Sequence, residues 1–329
     1  MEIYTYQFQI LKQLLIDKPK IVHVQHELNV YGSPITVLMF PLFLTFIKLF
    51  GFKLVVTVHA LPKKFQIDKE FITSFANNLK IPTSIFRFCF FIFYRFIALI
   101  ADEIIVHTHL IHDIFVQDYG ATSHKITIIP IGVRNLIEYT PKHEHFFFYM
   151  GYMVKRKGFD ILLEGFKNFV QKNPTTNFSL VLAGGVIKGQ EFAHDEIVKL
   201  INSFEAPVKD KIKILGFIET PEIDKNFKNC YAVVLPAKLS IAASGPLSLA
   251  LSYGKCCLVS DVGNYSEEII NEVDGLLLKT NSDAWEEAFD KVSKDFTLVK
   301  KLEQGAIKKA KEHNWDLVAK QTIKVYETN

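Results

Sequence analysis

The segment 238–263 reads KLSIAASGPLSLALSYGKCCLVSDVG and is the most informative part of the chain. Small residues at its start predict a loop that opens a short helix, and the apolar run Cys256–Ser260 predicts a buried strand directly after that helix. A helix start of this kind turns unpaired backbone N–H groups and the positive end of the helix dipole outward. The segment therefore predicts a receptor for a phosphate or diphosphate group.

Length and composition narrow the class of protein. A chain of 329 residues is long enough for two domains. Lys and Arg total 38 against 35 acidic residues, a net charge of only +3, which is too balanced for a sequence-independent nucleic-acid binder. The four cysteines have neither zinc-site spacing nor the density of a disulfide scaffold. We therefore expect a reducing compartment, no metal, no cofactor and no nucleic-acid partner.

Apolar runs alternate with helix-length segments, the pattern of parallel α/β sheets. After four strand-like runs the chain turns polar between residues 134 and 145, as in a linker, and a second series of six runs follows. The segment 158–172 repeats apolar residues at helical spacing. The predicted strands are Ile21–Gln25, Lys53–Val58, Glu103–His107 and Lys125–Ile129, then Phe146–Met150, Ser179–Ala183, Lys211–Leu215, Ala232–Leu235, Cys256–Ser260 and Gly275–Leu278.

Two N-terminal stretches, Ile35–Ile47 and Ile85–Ile100, are unusually rich in Phe. Both fall short of about 20 uninterrupted apolar residues, and Pro41, Arg87 and Arg95 interrupt them, so we expect neither to cross a bilayer. The helix with the two arginines fits a membrane interface, with basic groups near lipid phosphates. It fits equally well a helix that covers a parallel sheet. The N-terminus shows no basic and apolar signal pattern.

An ordered series of short motifs resembles the group-one glycosyltransferases, the glycogen-synthase-like branch with the GT-B fold. Each motif alone is weak, but their order along nearly the whole chain is specific. The motifs are Val22–Glu27, Val56–His59, Ile128–Val133, Gly151–Asp160, Leu182–Gly185, Leu215–Phe217, Leu235-Pro236, Tyr253–Lys255, Ser260–Gly263 and Gly275–Leu277, with Trp315 at the start of a last helix.

The resemblance implies an α/β fold with two Rossmann-like domains that face each other across a cleft. The implied domains are an acceptor-side domain over residues 1–140, a nucleotide-sugar-binding domain over 141–310, and a C-terminal helix over 311–329 that crosses back to the first domain. The first domain looks incomplete, because residues 2–16 already read as the helix before the strand at Ile21. Either the sequence lacks its start, or a partner chain supplies the absent layer, or the domain has been rebuilt.

The resemblance also assigns roles to individual residues. His59, directly after a strand, corresponds to the catalytic-cleft histidine that contacts the donor sugar, although a histidine at a strand end is by itself more often structural. His26 and Glu27 end a strand on the acceptor side, where a role as a structural cap is equally favoured. The predicted donor-binding residues are Lys157 at the phosphate-binding lysine position, Ser244, Gly245 and Leu247 as hydroxyl or N–H donors, and Ile218 beside the base.

One departure from the family pattern bears on the chemistry. The two glutamates of the Glu-x7-Glu motif would fall on Ile241 and Leu249. An apolar side chain cannot accept a hydrogen bond, and a buried ribose hydroxyl left unpaired costs about 1–3 kcal/mol. Donor binding must therefore be rearranged, weakened or lost.

The leading hypothesis is a glycosyltransferase that moves a sugar from a nucleotide-sugar donor to a glycan or lipid-linked acceptor, with retention. It would act in the cytoplasm as a peripheral protein at the inner membrane face, in polysaccharide biosynthesis. The alternative is a catalytically inactive, transferase-like scaffold subunit of a glycosylation complex. A sugar-nucleotide epimerase would need a pair of carboxylates that we do not find, and the segment 183–185 lacks the glycine spacing of a dehydrogenase.

Overall fold

The computed structural model describes residues 6–27, 34–69, 71–72, 81–134, 136–139, 142–187 and 190–328. Residues 2–5 of the predicted first helix lie outside these ranges. Backbone contacts divide the chain into two compact units. The N-terminal unit comprises residues 1–130, 241–243 and 318–329, and the C-terminal unit comprises residues 131–240 and 244–317.

The helices and strands alternate along the chain, as the apolar runs predict. In the N-terminal unit they are α1 (Tyr6–Asp17), β1 (Ile21–His26), α2 (Pro34–Leu49), β2 (Lys53–Val58), α3 (Thr83–Ile100), β3 (Glu103–Val106), α4 (His109–Tyr119) and β4 (Ile126–Ile128). The last helix is α13 (Trp315–Glu327).

The C-terminal unit continues the same alternation. Its strands are β5 (Glu144–Met150), β6 (Ser179–Ala183), β7 (Ile212–Gly216), β8 (Cys230–Leu235), β9 (Cys257–Ser260) and β10 (Leu276–Leu278). Its helices are α5 (Phe159–Lys172), α6 (Glu191–Asn202), α7 (Ala206–Lys209), α8 (Thr220–Asn229), α9 (Gly245–Ser252), α10 (Tyr265–Glu268), α11 (Ser282–Lys294) and α12 (Phe296–Glu312). All ten predicted strands are present, with bounds within two residues of the predicted ones.

The four strands of the N-terminal unit form a parallel sheet in the order β1-β2-β3-β4. Each strand therefore lies next to its predecessor, and right-handed crossovers wound in one direction place the connecting helices on one face. The main core lies on that face, where α2, α3 and α4 pack. The other face carries a smaller core, in which Val55 and Ile105 of the sheet meet Val318 and Val325 of α13.

The Phe-rich stretches form α2 and α3, and both helices are apolar on their outer faces as well. Their inner faces are buried in the sheet core. By length and composition alone, α3 is the one helix among the described residues that could cross a membrane, with a mean hydropathy of 1.7 over 18 residues. The exposed apolar residues are Leu38, Leu42, Phe46 and Leu49 on α2, and Ile85, Phe88, Ile92 and Leu99 on α3.

The two arginines of α3 are engaged within the unit. The Arg87 guanidinium donates to the backbone carbonyl of Ile67 at 2.9 Å, and the Arg95 guanidinium donates to that of Gly120. Both groups therefore satisfy carbonyl oxygens of neighbouring loops. The structure thus gives the arginines a tertiary role that the interface interpretation did not include.

The C-terminal unit is a doubly wound parallel sheet in the order β10-β9-β8-β5-β6-β7. Counted from β5 this is the order 3-2-1-4-5-6, in which the winding direction reverses between β5 and β8. Open α/β sheets bind ligands outside the carboxyl ends of the strands at such a switch point. The topology therefore directs attention to the segments that follow Met150 and Leu235. The α/β prediction is confirmed.

Two glycines allow backbone segments to approach closely at this end of the sheet. Gly184 has a φ of +154°, and a Cβ there would lie 1.8 Å from the carbonyl oxygen of Gly151. The Gly151 amide donates to Ala183 at 3.0 Å, and the Gly184 amide donates to Gly216 at 2.7 Å. The loops that follow β5, β6 and β7 are thus held together by backbone contacts.

We expect Gly184→Ala to lower the free energy of unfolding by at least about 3 kcal/mol, because the new Cβ must displace a backbone carbonyl. Gly216→Ala is the matched control, since Gly216 has a φ of +68° but open space where its Cβ would lie. It should cost only about 1–2 kcal/mol of backbone strain. Urea unfolding followed by circular dichroism measures both, and equal losses would contradict the close-approach argument.

Candidate functional site

Lys157 lies in the segment that follows the central strand β5. Residues Lys155–Lys157 form one 3-10 turn, and Gly158, with a φ of +65°, leads from it into α5. The Lys157 side chain is partly buried, and burial, reinforced by the neighbouring Arg156 charge, lowers the pKa of its ammonium group to about 8. The Glu268 carboxyl acts in the opposite direction. Lys157 is thus a partly desolvated cation near the switch point.

The turn is tied to the loop that follows β8, the other central strand. The Lys238 amide donates to the carbonyl of Arg156 at 2.8 Å, and the Lys238 ammonium forms an ion pair with Asp160 at 2.6 Å. These contacts fix the cation-bearing turn against the loop that leads to α9. The segments after β5 and β8 therefore form one assembly.

Helix α9 begins as the small-residue segment predicts. Ser244 is its N-cap residue, and the hydroxyl oxygen of Ser244 accepts from the Leu247 amide at 3.2 Å. The Ser248 amide donates to the Ser244 carbonyl, and Pro246 has no N–H to offer. Leu247 is therefore already paired, contrary to its predicted use as a ligand donor.

Gly245 is the open position of this helix start. A Cβ at Gly245 would meet nothing within 4 Å. Across the described ranges, no hydrogen bond is found for the Gly245 amide. A role of the Gly245 amide as a donor to a ligand stays a prediction.

Glu268, at the end of α10, is the functional candidate that sequence reasoning missed. One carboxyl oxygen, Oε1, accepts from the Ser244 amide at 3.2 Å. The other, Oε2, is buried and has no hydrogen-bond partner among the described residues. Burial raises the pKa of Glu268 to about 7, while the Ser244 hydrogen bond and the charges of Lys309 and Lys157 oppose that rise.

Tyr265 of α10 contacts Ser244, the N-cap residue of α9. Its hydroxyl lies 3.3 Å from the Ser244 hydroxyl, and its ring is fully buried. Burial raises the pKa of Tyr265, so the phenol stays protonated at neutral pH. The Ser244 side chain is thereby held between the Leu247 amide and a phenol.

The positions expected for the motif glutamates are apolar in the structure too. Ile241 is buried, and Leu249 packs against the core of the C-terminal unit. Neither side chain supplies a carboxylate. A carboxylate does reach the start of α9, but it belongs to Glu268 of a different element.

Ile218, the residue predicted to lie beside the nucleotide base, has its side chain in the core of the C-terminal unit. Ile218 is buried, whereas the preceding Phe217 is 74% exposed. A Cβ at Gly185 would lie 3.8 Å from Phe217 and 3.8 Å from Tyr152. Exposed aromatic rings therefore flank Gly185 at the carboxyl end of the sheet, and Ile218 contributes to the core behind them.

His59 lies just after β2 in the N-terminal unit. Its Nε2 atom is 2.7 Å from the amide oxygen of Gln25, and its Nδ1 atom is 2.9 Å from Nε2 of His107. Burial, with the charges of His107 and His23, lowers the pKa of His59 to about 4. The ring is therefore neutral at pH 7 and able to form hydrogen bonds without a positive charge.

The two acceptor-side candidates differ in exposure. His26 is fully buried, stacks on Phe40 and lies 3.0 Å from the Tyr94 hydroxyl. Burial, with the His59 charge, lowers the pKa of His26 to about 3. Glu27, the next residue, is only partly buried. The structure thus places His26 in the core of the N-terminal unit and leaves Glu27 accessible.

A cavity of about 440 Å³ lies elsewhere in the C-terminal unit, between the segment 136–139 and α12. Tyr253, Lys300 and Glu303 line it, and none of the predicted site residues does. No group of three His, Cys, Asp or Glu side chains that could hold a metal ion occurs in the ranges that the structure describes.

The lowered pKa of Lys157 has a consequence for stability. Its pKa in the folded state, about 8, lies below its ordinary value of 10.5, so the unfolded chain binds more protons between these pH values. The free energy of unfolding should therefore rise with pH across that window, and charged Lys157 should destabilise the fold below it.

We expect Lys157→Met to raise the free energy of unfolding at pH 7 by about 1–3 kcal/mol, because it removes a partly desolvated charge. Lys155→Met, at an exposed position of the same turn, is the control and should change little. Thermal unfolding of both variants at pH 7 and 9 measures the effect. A lower melting temperature for Lys157→Met than for the control would contradict it.

Comparison with known proteins agrees with the two-unit α/β architecture. The chain is 26% identical over 186 residues to the uncharacterized glycosyltransferase MJ1607 of Methanocaldococcus jannaschii. That alignment covers 56% of this chain and 45% of the relative, so it spans less than half of the relative's length.

Solved structures extend the likeness in fold to nearly the whole chain. Sucrose-phosphate synthase from Thermosynechococcus elongatus superposes with a TM-score of 0.75 at 15% identity, over 98% of this chain and 76% of its own. HepE of Anabaena, in complex with UDP-glucose, gives a TM-score of 0.76 at 13% identity, over 98% and 81%. At such identities the likeness shows a common fold.

The family is shown by a match to the sequence model of the glycosyl transferases group 1 over residues 137–313. This match covers more than half of the chain and includes the turn of Lys157, the start of α9 and Glu268. The chain belongs to the glycosyl transferases group 1 family.

Proposed function

We propose that this protein transfers a sugar, with retention, from a nucleotide-sugar donor to a glycan or lipid-linked acceptor. The observation that carries the proposal is that Lys157 and the Gly245 amide, which has no hydrogen-bond partner among the described residues, both lie at the switch point of the C-terminal unit. A departing nucleoside diphosphate gains negative charge, and a fixed cation with an N–H donor is the arrangement that stabilises it. HepE, which shares the fold, was solved with UDP-glucose.

In the proposed reaction the bond between the sugar C1 atom and the diphosphate oxygen breaks, and a bond from C1 to the acceptor oxygen forms on the same face. The departing phosphate oxygen takes the proton of the acceptor hydroxyl. No carboxylate base is then required. This suits a site in which Ile241 and Leu249 stand at the positions of the two motif glutamates. His59, neutral at pH 7, would exchange its Nε2 hydrogen bond to Gln25 for one to a donor-sugar hydroxyl.

We expect Lys157→Met to weaken binding of the active donor by at least tenfold, because a charge-assisted hydrogen bond contributes about 1.5–3 kcal/mol. Lys155→Met is again the matched control and should bind as the wild type does. Gly245→Ala should also weaken binding without loss of stability, since its methyl group enters the open space before α9.

A panel of UDP-, GDP- and ADP-sugars, followed by calorimetry and by donor hydrolysis, identifies the donor and measures these effects. Absence of hydrolysis and transfer with every donor would contradict an active enzyme. Equal donor affinity in Lys157→Met and Lys155→Met would show that the phosphate site does not include Lys157.

The second candidate is an inactive, transferase-like subunit. It is favoured by the apolar residues at the motif positions. It is also favoured by Glu268, whose carboxyl accepts the Ser244 amide hydrogen bond that a ligand would need. It is also favoured by β1, which pairs only with β2 in the described residues and so offers an edge to a partner chain. Calorimetry separates the two candidates, because such a subunit should bind nucleotides feebly while forming a stable complex with an active transferase.

We further propose that the N-terminal unit contacts the inner face of the cytoplasmic membrane, where the enzyme would extend a lipid-linked polysaccharide. The outer faces of α2 and α3 support this, because large apolar side chains line both at helical spacing. Leu38 is 77% exposed and Phe88 63% exposed. Exposed apolar side chains along a helix pair suit the boundary between lipid headgroups and acyl chains.

We expect the double variant Leu38→Gln and Leu42→Gln to weaken binding to phospholipid vesicles by at least tenfold, because burial of each leucine is worth about 1.5–3 kcal/mol. Phe296→Gln, at an exposed position of the C-terminal unit, is the control. Co-sedimentation with vesicles of neutral and of anionic lipid gives the measurement. Equal loss in the control, or no binding by the wild type, would contradict the membrane proposal.

A further inference from the structure

The Glu268 carboxyl sits where an incoming anion would bind. Its Oε1 atom accepts the Ser244 amide at 3.2 Å, directly before the first residue of α9. Its Oε2 atom is buried without a partner among the described residues. A buried carboxylate with one unpaired oxygen lacks much of the solvation that water would give it.

Few backbone donors remain for a ligand at this helix start. Pro246 has no N–H, and the Leu247 amide is paired with the Ser244 hydroxyl. The Ser244 amide is paired with Glu268, which leaves Gly245. A diphosphate that is to receive two adjacent N–H groups must therefore take the Ser244 amide from Glu268.

The charges around Glu268 come from several elements. The turn before α5 contributes Lys157, and Arg156 of the same turn acts on Lys157 and on Tyr265. Helix α12 contributes Lys309, which is itself paired with Asp274 at 2.7 Å. Glu267 lies next to Glu268 in α10 and adds negative charge, and the buried Tyr265 stays neutral.

A diphosphate beside this group would bring at least two more negative charges. Like charges that share a site force one of them to become protonated. Lys309 and Asp274 already neutralise each other, so the two cations of the turn before α5, Lys157 and Arg156, face both the carboxylate and the ligand. The anion and ionised Glu268 are thus alternative occupants of one site.

We propose that Glu268 is an internal competitor for the diphosphate site at the start of α9, and that donor binding requires the Glu268 carboxyl to take up a proton. This inference rests on the proposed function, since it assumes that a nucleoside diphosphate binds there. Neutral Glu268 gives up the Ser244 amide without leaving a buried charge behind. Donor affinity is then coupled to pH through a residue that belongs to none of the family motifs quoted above.

The test is calorimetry with UDP, GDP, ADP and inorganic pyrophosphate at pH 7.5, in two buffers of different ionisation enthalpy. The difference between buffers gives the number of protons taken up on binding. Wild-type protein should take up a substantial fraction of a proton per ligand more than Glu268→Gln, which keeps an acceptor for Ser244 but cannot ionise. Glu267→Gln, at the exposed neighbouring position, leaves the Glu268 carboxyl ionisable and should therefore retain the proton uptake.

A second measurement does not depend on the Glu268 variant folding. In Lys157→Arg, whose cation does not titrate below pH 10, the affinity for UDP should decrease with rising pH above pH 7, with a slope that approaches tenfold per pH unit.

Glu268→Ala should bind UDP at least as tightly as the wild type at pH 8. Equal proton uptake in the wild type and Glu268→Gln, or a flat affinity profile, would overturn the competitor role alone. Failure of all four ligands to bind, in Glu268→Ala as well, would overturn the proposed donor site with it.

Discussion

The supply of backbone N–H groups at the start of α9 is the constraint on which the site depends. A helix that begins Ser-Gly-Pro-Leu has one donor removed by proline and one used by its own N-cap serine. The Ser244 amide is held by Glu268, and no hydrogen bond is found for the Gly245 amide among the described residues. Because so few N–H donors remain, each contact at the start of α9 affects how strongly an anion can bind.

The order of strands in the sheet explains why the start of α9 and Lys157 are neighbours. β5 and β8 are adjacent strands at the reversal of winding, so the segments after them leave the sheet side by side. Contacts of Lys238 with Arg156 and Asp160 then lock the two segments together. The desolvation that lowers the pKa of Lys157 and raises that of Glu268 follows from this close packing. The cation is less stable as a result and is better suited to meet an anion.

Much of the fold could be predicted from local patterns. The apolar runs of β2, β6 and β8 are buried strands of parallel sheets, and such runs are readable without knowledge of their partners. The small residues before Gly245 likewise predicted the start of α9. The family resemblance supplied Lys157, whose placement near a helix start a local pattern could not show.

The details of the site depend on tertiary contacts that no local pattern contains. Glu268 lies in a helix of four residues and reaches Ser244 from 24 residues away along the chain. Leu247 was expected to offer its amide, but the N-cap hydroxyl uses it. His26 ends its strand with its side chain in the core, because the alternation of faces along β1 turns it toward Phe40. Phe217, and not Ile218, is the exposed side chain after β7.

A crystal structure with bound UDP is the decisive measurement. Phosphate oxygens should lie within about 3.2 Å of the Gly245 amide and the Lys157 ammonium, with the Glu268 carboxyl moved off the Ser244 amide. A diphosphate bound at another place, or one bound while Glu268 still holds Ser244, would contradict this prediction.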